Sequence, residues 1–135
     1  MFITAQLVFL EANSVSIAFA NAGHCPPIAI SGDGTARTLD EGGLPLGVSQ
    51  EEHYLAWRTT LQPQERLLLV TDGILEAPDA NGREFGLEGV IEASRHFRTE
   101  SLDTLCAGIL TQLEQRDPTH SATDDRTLLA IQSHS

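Results

Sequence analysis

The sequence contains no lysine, and its eight basic residues, all arginine, stand against 19 aspartates and glutamates. The formal net charge is −11 and the isoelectric point is near 4.6. Binding to nucleic acid needs a basic surface that neutralises phosphates, and adhesion to anionic membranes depends on the same positive charge. We therefore expect neither nucleic acid nor a membrane among the partners of this chain.

Cysteine and long apolar runs are also scarce. Cys25 and Cys106 are the two cysteines, they form no CxxC pair, and we expect them to be free thiols in a reducing compartment. The apolar start MFITAQLVFL contains no basic residue and is followed at once by Glu11. No run reaches the ~20 apolar residues that a membrane-spanning helix needs. These absences exclude a disulfide scaffold and favour a cytoplasmic protein.

A length of 135 residues is typical of one domain, and 41% of the residues are hydrophobic. A chain of this length can bury a core without a disulfide or a structural metal. The sequence shows no internal repeat, no low-complexity tract and no linker. We expect residues 1–135 to lie in a single domain.

Strand patterns dominate the first half of the chain. Residues 3–10 and 15–20 are rich in Val, Ile and Phe around a short polar break, which predicts a hairpin that ends before Asn21. Further strands are expected at 28–30, 36–39 and 53–61, and the strongest signal is at 66–70. That last strand is apolar on both faces, as in a strand covered from both sides.

Helical spacing follows in the second half. Apolar residues recur at helical intervals over 87–97 and again over 101–113, where Ser101 is a good N-cap. A final strand is expected at 127–131. Strands, then two helices, then one strand indicate an α+β domain.

Three acidic residues stand next to predicted strands. Asp72 follows strand 66–70 after one intervening residue and precedes Gly73, and Asp124 and Asp125 come shortly before the last strand. Removing a carboxylate from water near the core costs several kcal/mol of free energy unless a cation or hydrogen-bond donors compensate it. Hard cations such as Mg²⁺ and Mn²⁺ prefer carboxylate oxygens as ligands. The alternative is that Asp72 caps a turn and that the acid pair lies in a solvated loop. The residues alone leave both interpretations open.

Five motifs occur in a fixed order along the chain: NAGH at 21–24, GLPLG at 43–47, LLVTDG at 68–73, NGREFG at 81–86 and DDRT at 124–127. Each is weak alone, but together they resemble the SpoIIE/RsbU-type branch of the PPM (PP2C-like) serine/threonine phosphatases. The resemblance implies an αββα sandwich of two antiparallel sheets. It also implies that a water activated by two Mn²⁺ or Mg²⁺ ions attacks the phosphorus, with no side-chain nucleophile.

The resemblance assigns roles to individual residues. It makes Asp72 and Asp124 metal ligands, with Asp125 as the alternative to Asp124. The residues that it allows to line the site are Gly73, His24, Asn21 and Arg126. His24 would contact the substrate or a metal-bound water, or simply cap a turn. Arg126 would hold the phosphate or neutralise the acid pair.

One motif of the family is missing. The upstream segment resembling Gly-Asp-x-x-Gly-His-Gly, which supplies the carboxylate that bridges the metals, is absent. We therefore expect the C-terminal part of a phosphatase domain, incomplete on its N-terminal side, with one sheet face poorly covered. Such a chain should bind at most one ion weakly and should be nearly inactive alone.

The resemblance also suggests partners. It implies a phosphoprotein substrate, such as an anti-sigma-factor antagonist. The alternative is a non-catalytic pseudophosphatase that acts as an interaction module and forms a homodimer through an exposed sheet edge.

Overall fold

The computed structural model describes residues 1–116 and 125–133. The strands in chain order are β1 Ala5–Leu10, β2 Ser16–Ala22, β3 Ile28–Ile30, β4 Ala36–Thr38, β5 Trp57–Thr60, β6 Arg66–Val70 and β7 Leu128–Gln132. The helices are α1 Asp72–Leu75, α2 Gly86–His96 and α3 Leu102–Arg116.

The strands form two antiparallel sheets. One has the order β1-β2-β5 and the other has the order β4-β3-β6-β7. The β1–β2 hairpin pairs Ala5 with Ala22 and Leu10 with Ile17, so the start of β1 lies beside the end of β2. The predicted α+β class with two antiparallel sheets is confirmed.

Strand β6 lies between the two layers of the core. Leu68 and Val70 belong to the apolar cluster shared with the helices, whereas Leu67 belongs to the cluster between the sheets. Because successive side chains of a strand point to opposite faces, a strand that is apolar throughout needs cover on both sides. The helices and the β1-β2-β5 sheet provide that cover.

An ion pair within the four-stranded sheet places a guanidinium against the other sheet. Glu65 is 1% exposed and accepts hydrogen bonds from Arg37 Nε at 3.1 Å and Arg37 Nη2 at 2.9 Å. The same guanidinium donates to Thr59 Oγ1 and the Thr60 carbonyl on β5 of the other sheet. Burial alone would raise the pKa of Glu65, but the hydrogen bonds from Arg37 and the Gln62 N–H outweigh it and hold the pKa below its ordinary value.

Several boundaries differ from the predicted ones. Strand β2 continues through Asn21 to Ala22, because Asn21 pairs with Gln6 across the hairpin and the Pro26-Pro27 break comes later. Strand β5 covers only four residues, since β2 offers partners only from Ser16 to Phe19. The one-turn helix α1 was not expected from the sequence.

The helices agree closely with the predicted spacing. The backbone N–H of Thr104 donates to Ser101 Oγ at 3.1 Å, which confirms the expected cap of α3. No helix within residues 1–116 and 125–133 is long and apolar enough to cross a membrane.

The outer face of the three-stranded sheet is largely bare. Leu7 and Phe9 of β1 alternate with inward-facing residues and are 74% and 69% exposed. This exposure confirms the predicted poor cover on the side opposite the helices. Leu7 and Phe9 therefore form an exposed apolar strip on β1.

Replacing Glu65 with glutamine should lower the free energy of unfolding by about 2 kcal/mol at neutral pH, because Arg37 loses a buried charged partner. We place the value below that of a fully buried pair because the Arg37 side chain is 40% exposed. The folded-state pKa of Glu65 is lowered, so its carboxylate stabilises the fold above the unfolded-state pKa and this contribution is lost as pH falls. The difference between wild type and Glu65→Gln should therefore shrink below about pH 4.

Urea unfolding at several pH values measures this difference. The matched control is Glu92→Gln, since Glu92 pairs with Arg95 at 2.7 Å but its side chain is 70% exposed. That control should change the unfolding free energy by less than about 0.5 kcal/mol. Equal effects of the two substitutions would contradict a structural role for the buried pair.

Candidate functional site

A cavity of about 220 Å³ opens at the end of the sandwich where β2 and β6 finish and the segment before β7 arrives. Its lining comes from four separate parts of the chain: Thr4, Gly23, His24, Cys25, Thr71, Asp72, Gly73 and Asp125. The antiparallel order explains this meeting, because β6 pairs with β7 and the start of β1 lies beside the end of β2. The cavity therefore depends on the sheet register rather than on one local motif.

Asp72 is separated from β6 by Thr71 alone and is the first residue of the one-turn helix α1. Its backbone carbonyl accepts a hydrogen bond from the Glu76 N–H at 2.8 Å, which closes the turn. Its carboxylate oxygen Oδ1 accepts from the Cys25 thiol at 2.8 Å. The expected position of Asp72 at a strand end is confirmed, and its role as a metal ligand stays a prediction.

Thr71 connects the end of β6 to the segment before β7. The Thr71 N–H donates to the Thr127 carbonyl at 3.1 Å, and the Thr127 N–H donates to Thr71 Oγ1 at 3.0 Å. Thr71 Oγ1 also lies 3.3 Å from the carbonyl oxygen of Asp125. These bonds bring Asp125 to the cavity that Asp72 lines, whereas Asp124 lies outside the described residues.

Asn21 holds the loop that carries His24. Its Nδ2 donates to the His24 carbonyl at 3.0 Å, and its Oδ1 accepts from the His24 N–H at 2.8 Å. The structure places Asn21 in the buried interior behind this loop, not in the lining of the cavity. Its action on the site therefore runs through the backbone of His24.

Of the other residues that were predicted to line the site, two lie in the described cavity lining and one does not. Gly73 and His24 both line the cavity, as the resemblance implies. Arg126 is half-buried and directly follows Asp125, but it is not among the described residues of the lining. Its proposed contact with a phosphate stays a prediction.

Gly23 explains why the GLPLG segment lies at the site. Its φ is +70°, and a Cβ built on it would lie 2.5 Å from Pro45 Cγ. The loop is further fixed by the Gly43 N–H, which donates to the Asn21 carbonyl at 3.0 Å. Only a residue without a side chain fits between this loop and the end of β2.

Cys25 is a lining residue that the sequence analysis did not place at the site. Burial, and after it the hydrogen bond to Asp72, raises the pKa of the Cys25 thiol to about 12, so it stays protonated at neutral pH. A protonated thiol is a poor nucleophile, so this environment does not activate Cys25 for attack. The position of Cys25 directly after His24 was a signal in the sequence that it could lie at the site. Thr4 reaches the cavity through the β1–β2 pairing, and no pattern in the sequence indicated it.

Four of the lining residues, Thr4, Thr71, Asp72 and Asp125, have oxygen-bearing side chains of the kind that hard cations prefer, and the volume leaves room for several waters. Among residues 1–116 and 125–133, however, no group of three or more His, Cys, Asp or Glu is arranged to hold a metal. These residues therefore fit one well-hydrated ion and do not form a two-metal centre.

Comparison with known proteins identifies relatives of this chain. The sequence profile described as Stage II sporulation protein E (SpoIIE) matches residues 1–134. Phosphoserine phosphatase RsbU of Bacillus subtilis is 32% identical over 83 residues, which are 61% of this chain and 25% of RsbU. The chain is thus similar in sequence to a phosphoserine phosphatase.

Solved structures share the fold. The SiaA-PP2C domain of Pseudomonas aeruginosa is similar with a TM-score of 0.85 at 23% identity, over 97% of this chain and 52% of that chain. The SpoIIE phosphatase domain of Bacillus subtilis, described as Mn presoaked, is similar with a TM-score of 0.75 at 18% identity, over 98% of this chain and 57% of that chain. The sandwich is therefore PP2C-like.

The chain spans only part of these relatives. It covers between 20% and 30% of the length of the curated proteins that it matches. It covers about half of the two phosphatase-domain structures.

Replacing Gly23 with alanine should lower the free energy of unfolding by about 3 kcal/mol, because the positive φ and the overlap with Pro45 both oppose a Cβ. Gly82→Ala is the matched control, since Gly82 has φ +81° but no heavy atom within 4 Å of a built Cβ. It should cost only about 1 kcal/mol. Urea unfolding of both variants measures the difference, and equal losses would show that Pro45 does not press on this position.

Proposed function

The chain belongs to the SpoIIE/RsbU-type family of PPM serine/threonine phosphatases, and on that premise we propose that it is the C-terminal part of a metal-dependent phosphatase domain. Its reaction is the hydrolysis of phosphoserine or phosphothreonine in a regulatory protein. The similarity to a phosphoserine phosphatase supports phosphoserine as the target group, and the family resemblance suggests an anti-sigma-factor antagonist as the protein that carries it.

The observation that carries this proposal is the shared cavity of Asp72 and Asp125. These carboxylates come from segments 53 residues apart, and the bonds of Thr71 bring them to one end of the sandwich. Two carboxylates of one cavity repel each other in a protein of net charge −11, and a divalent cation would lower that repulsion. A divalent cation between them is the simplest occupant of such a site.

The residues that would hold Mn²⁺ or Mg²⁺ are Asp72 together with Asp124 or Asp125. The Mn presoak of the SpoIIE phosphatase domain supports a manganese site in this fold. Such an ion, when bound, lowers the pKa of a water and neutralises charge on the phosphate. The protein's own part is to hold Asp72 at the end of β6 and to shape the cavity with the loops around Gly23 and Gly73.

The cation also governs access of the substrate. A phosphate group approaching the cavity meets two carboxylates, and electrostatic repulsion opposes its entry at net charge −11. A bound divalent cation would neutralise the charge of these two carboxylates and so remove the local repulsion. Metal binding should therefore precede binding of the phosphoprotein.

We propose that this chain alone is nearly inactive. In-line attack on phosphorus in this family uses two ions, and the described lining supplies carboxylates for one. The chain also covers only 52% of the SiaA-PP2C chain. The remaining ligands would come from an upstream segment.

A second candidate is a non-catalytic interaction module that forms a homodimer. The exposed Leu7 and Phe9 on the outer face of β1 favour it, since an apolar strip at a sheet edge invites association. The two candidates differ in one result, because only the phosphatase gains turnover when the upstream segment is present.

The chain should bind Mn²⁺ with a dissociation constant on the order of 1 mM, because two carboxylates leave most of the coordination to water. Asp72→Asn should weaken this binding at least about tenfold. Asp103→Asn is the control, since Asp103 is an exposed residue of α3. Electron paramagnetic resonance of free Mn²⁺ measures the affinities, and equal binding by wild type and Asp72→Asn would remove Asp72 from the site.

The rate of phosphoserine-peptide hydrolysis by this chain with Mn²⁺ should equal that of Mn²⁺ alone. A chimera in which the upstream half of the SiaA-PP2C domain precedes Met1 should be faster by at least about 100-fold, because it restores the missing metal ligands. Asp72→Asn in the chimera should abolish the gain. Equal rates for the short chain and a folded chimera would contradict the proposed division of the site.

A further inference from the structure

We propose that Cys25 is a positioning residue for Asp72: its thiol holds one oxygen of the carboxylate and leaves the other for a cation. This inference rests on the proposed role of Asp72 as a metal ligand and adds to it a residue outside the ligand set. The sulfur Sγ lies 2.8 Å from Asp72 Oδ1, and both residues line the same cavity. Cys25 lies 47 positions before Asp72, so the contact joins the end of β2 to the end of β6.

The backbone around Cys25 is fixed from several sides. Gln6 Nε2 donates to the Cys25 carbonyl at 3.1 Å, and Asn21 holds the preceding residue, His24, with two hydrogen bonds. Pro26 and Pro27 follow directly and restrict the chain on the other side. The backbone that carries the thiol is therefore held in position beside Asp72.

The hydrogen bond matters because a carboxylate can present several lone pairs. An ionised aspartate accepts at about four sites on two oxygens, and a short side chain at a strand end samples more than one rotamer. A donor on Oδ1 selects one rotamer before a cation arrives. The cation then meets Asp72 with less conformational entropy to lose.

The size of the effect follows from the donor. Partners that orient metal ligands typically change metal affinity by about 10- to 100-fold, and a thiol is a weak donor. We therefore expect a loss of roughly three- to tenfold in Mn²⁺ affinity when the donor is removed. A serine hydroxyl at the same position is also a donor. Because the C–O bond of serine is shorter than the C–S bond of cysteine, the serine oxygen would lie farther from Asp72 Oδ1 than the 2.8 Å of the sulfur but still within hydrogen-bond range.

The first experiment tests the bond itself. The S–H stretching band of Cys25 is isolated by Raman difference between the wild-type chain and Cys25→Ser, and that of Cys106 by difference with Cys106→Ser. We expect the Cys25 band at lower wavenumber than in Asp72→Asn, because the charged acceptor weakens the S–H bond. A Cys25 band that is the same in the wild type and in Asp72→Asn would overturn the proposal.

The second experiment tests the effect on the ligand. Mn²⁺ affinity is measured for the full chain by titration calorimetry, with urea unfolding to confirm that each variant is folded. Cys25→Ala should weaken binding roughly three- to tenfold, whereas Cys25→Ser should stay within about twofold of wild type. Cys106→Ala, at the other half-buried thiol in α3, should leave the affinity unchanged.

The outcomes distinguish a failure of the proposed function from a failure of the positioning role of Cys25. Absence of Mn²⁺ binding by the wild-type chain overturns the proposed function and the positioning role with it. Binding that Asp72→Asn weakens but Cys25→Ala does not would overturn the positioning role alone. Equal losses for Cys25→Ala and Cys25→Ser would also overturn it, because the hydroxyl should rescue a hydrogen bond but not a packing contact.

Discussion

The burial of strand β6 on both faces is the constraint on which the rest of the structure depends. Leu67 enters the core between the sheets, and Leu68 and Val70 enter the core beneath the helices. Each such side chain contributes roughly 2 kcal/mol on burial, so neither face can be left to solvent. The order of layers, one sheet on one side and helices on the other, follows from this one strand. It also places Thr71 and Asp72, which directly follow β6, at an end of the sandwich where backbone from other segments converges.

The site is a consequence of antiparallel pairing at that end. Because β6 runs opposite to β7 and β1 runs opposite to β2, the segments near Asp72, Asp125, His24 and Thr4 arrive together. Irregular backbone at such a place needs its own support, and hydrogen bonds supply it. Asn21 holds His24, and Thr71 pairs with Thr127. The geometry of the cavity is thus set by residues that do not carry its chemistry.

Two acidic residues of this chain, Glu65 and Asp72, accept hydrogen bonds from different kinds of donor. Glu65 is buried against Arg37, and the same guanidinium donates hydrogen bonds to Thr59 and Thr60 of the other sheet. Asp72 accepts instead from the thiol of Cys25, a neutral donor that leaves the negative charge in the cavity uncompensated by that contact. A carboxylate that is neutralised by arginine has little negative charge left to attract a cation. A carboxylate held by a neutral donor keeps its charge, which is the property that a metal ligand needs.

The sequence by itself determined the strands and helices with strong periodicity, the α+β class, the place of Asp72 at a strand end and the family. Those features depend on local pattern and on motifs in order. Only the tertiary structure decided that β2 continues through Asn21, that β5 is limited to Trp57–Thr60 and that Asn21 lies behind the His24 loop. It also decided that Cys25 meets Asp72 across 47 positions of the chain. Such contacts depend on the register between strands, and no local pattern encodes which distant side chain a register will bring into contact.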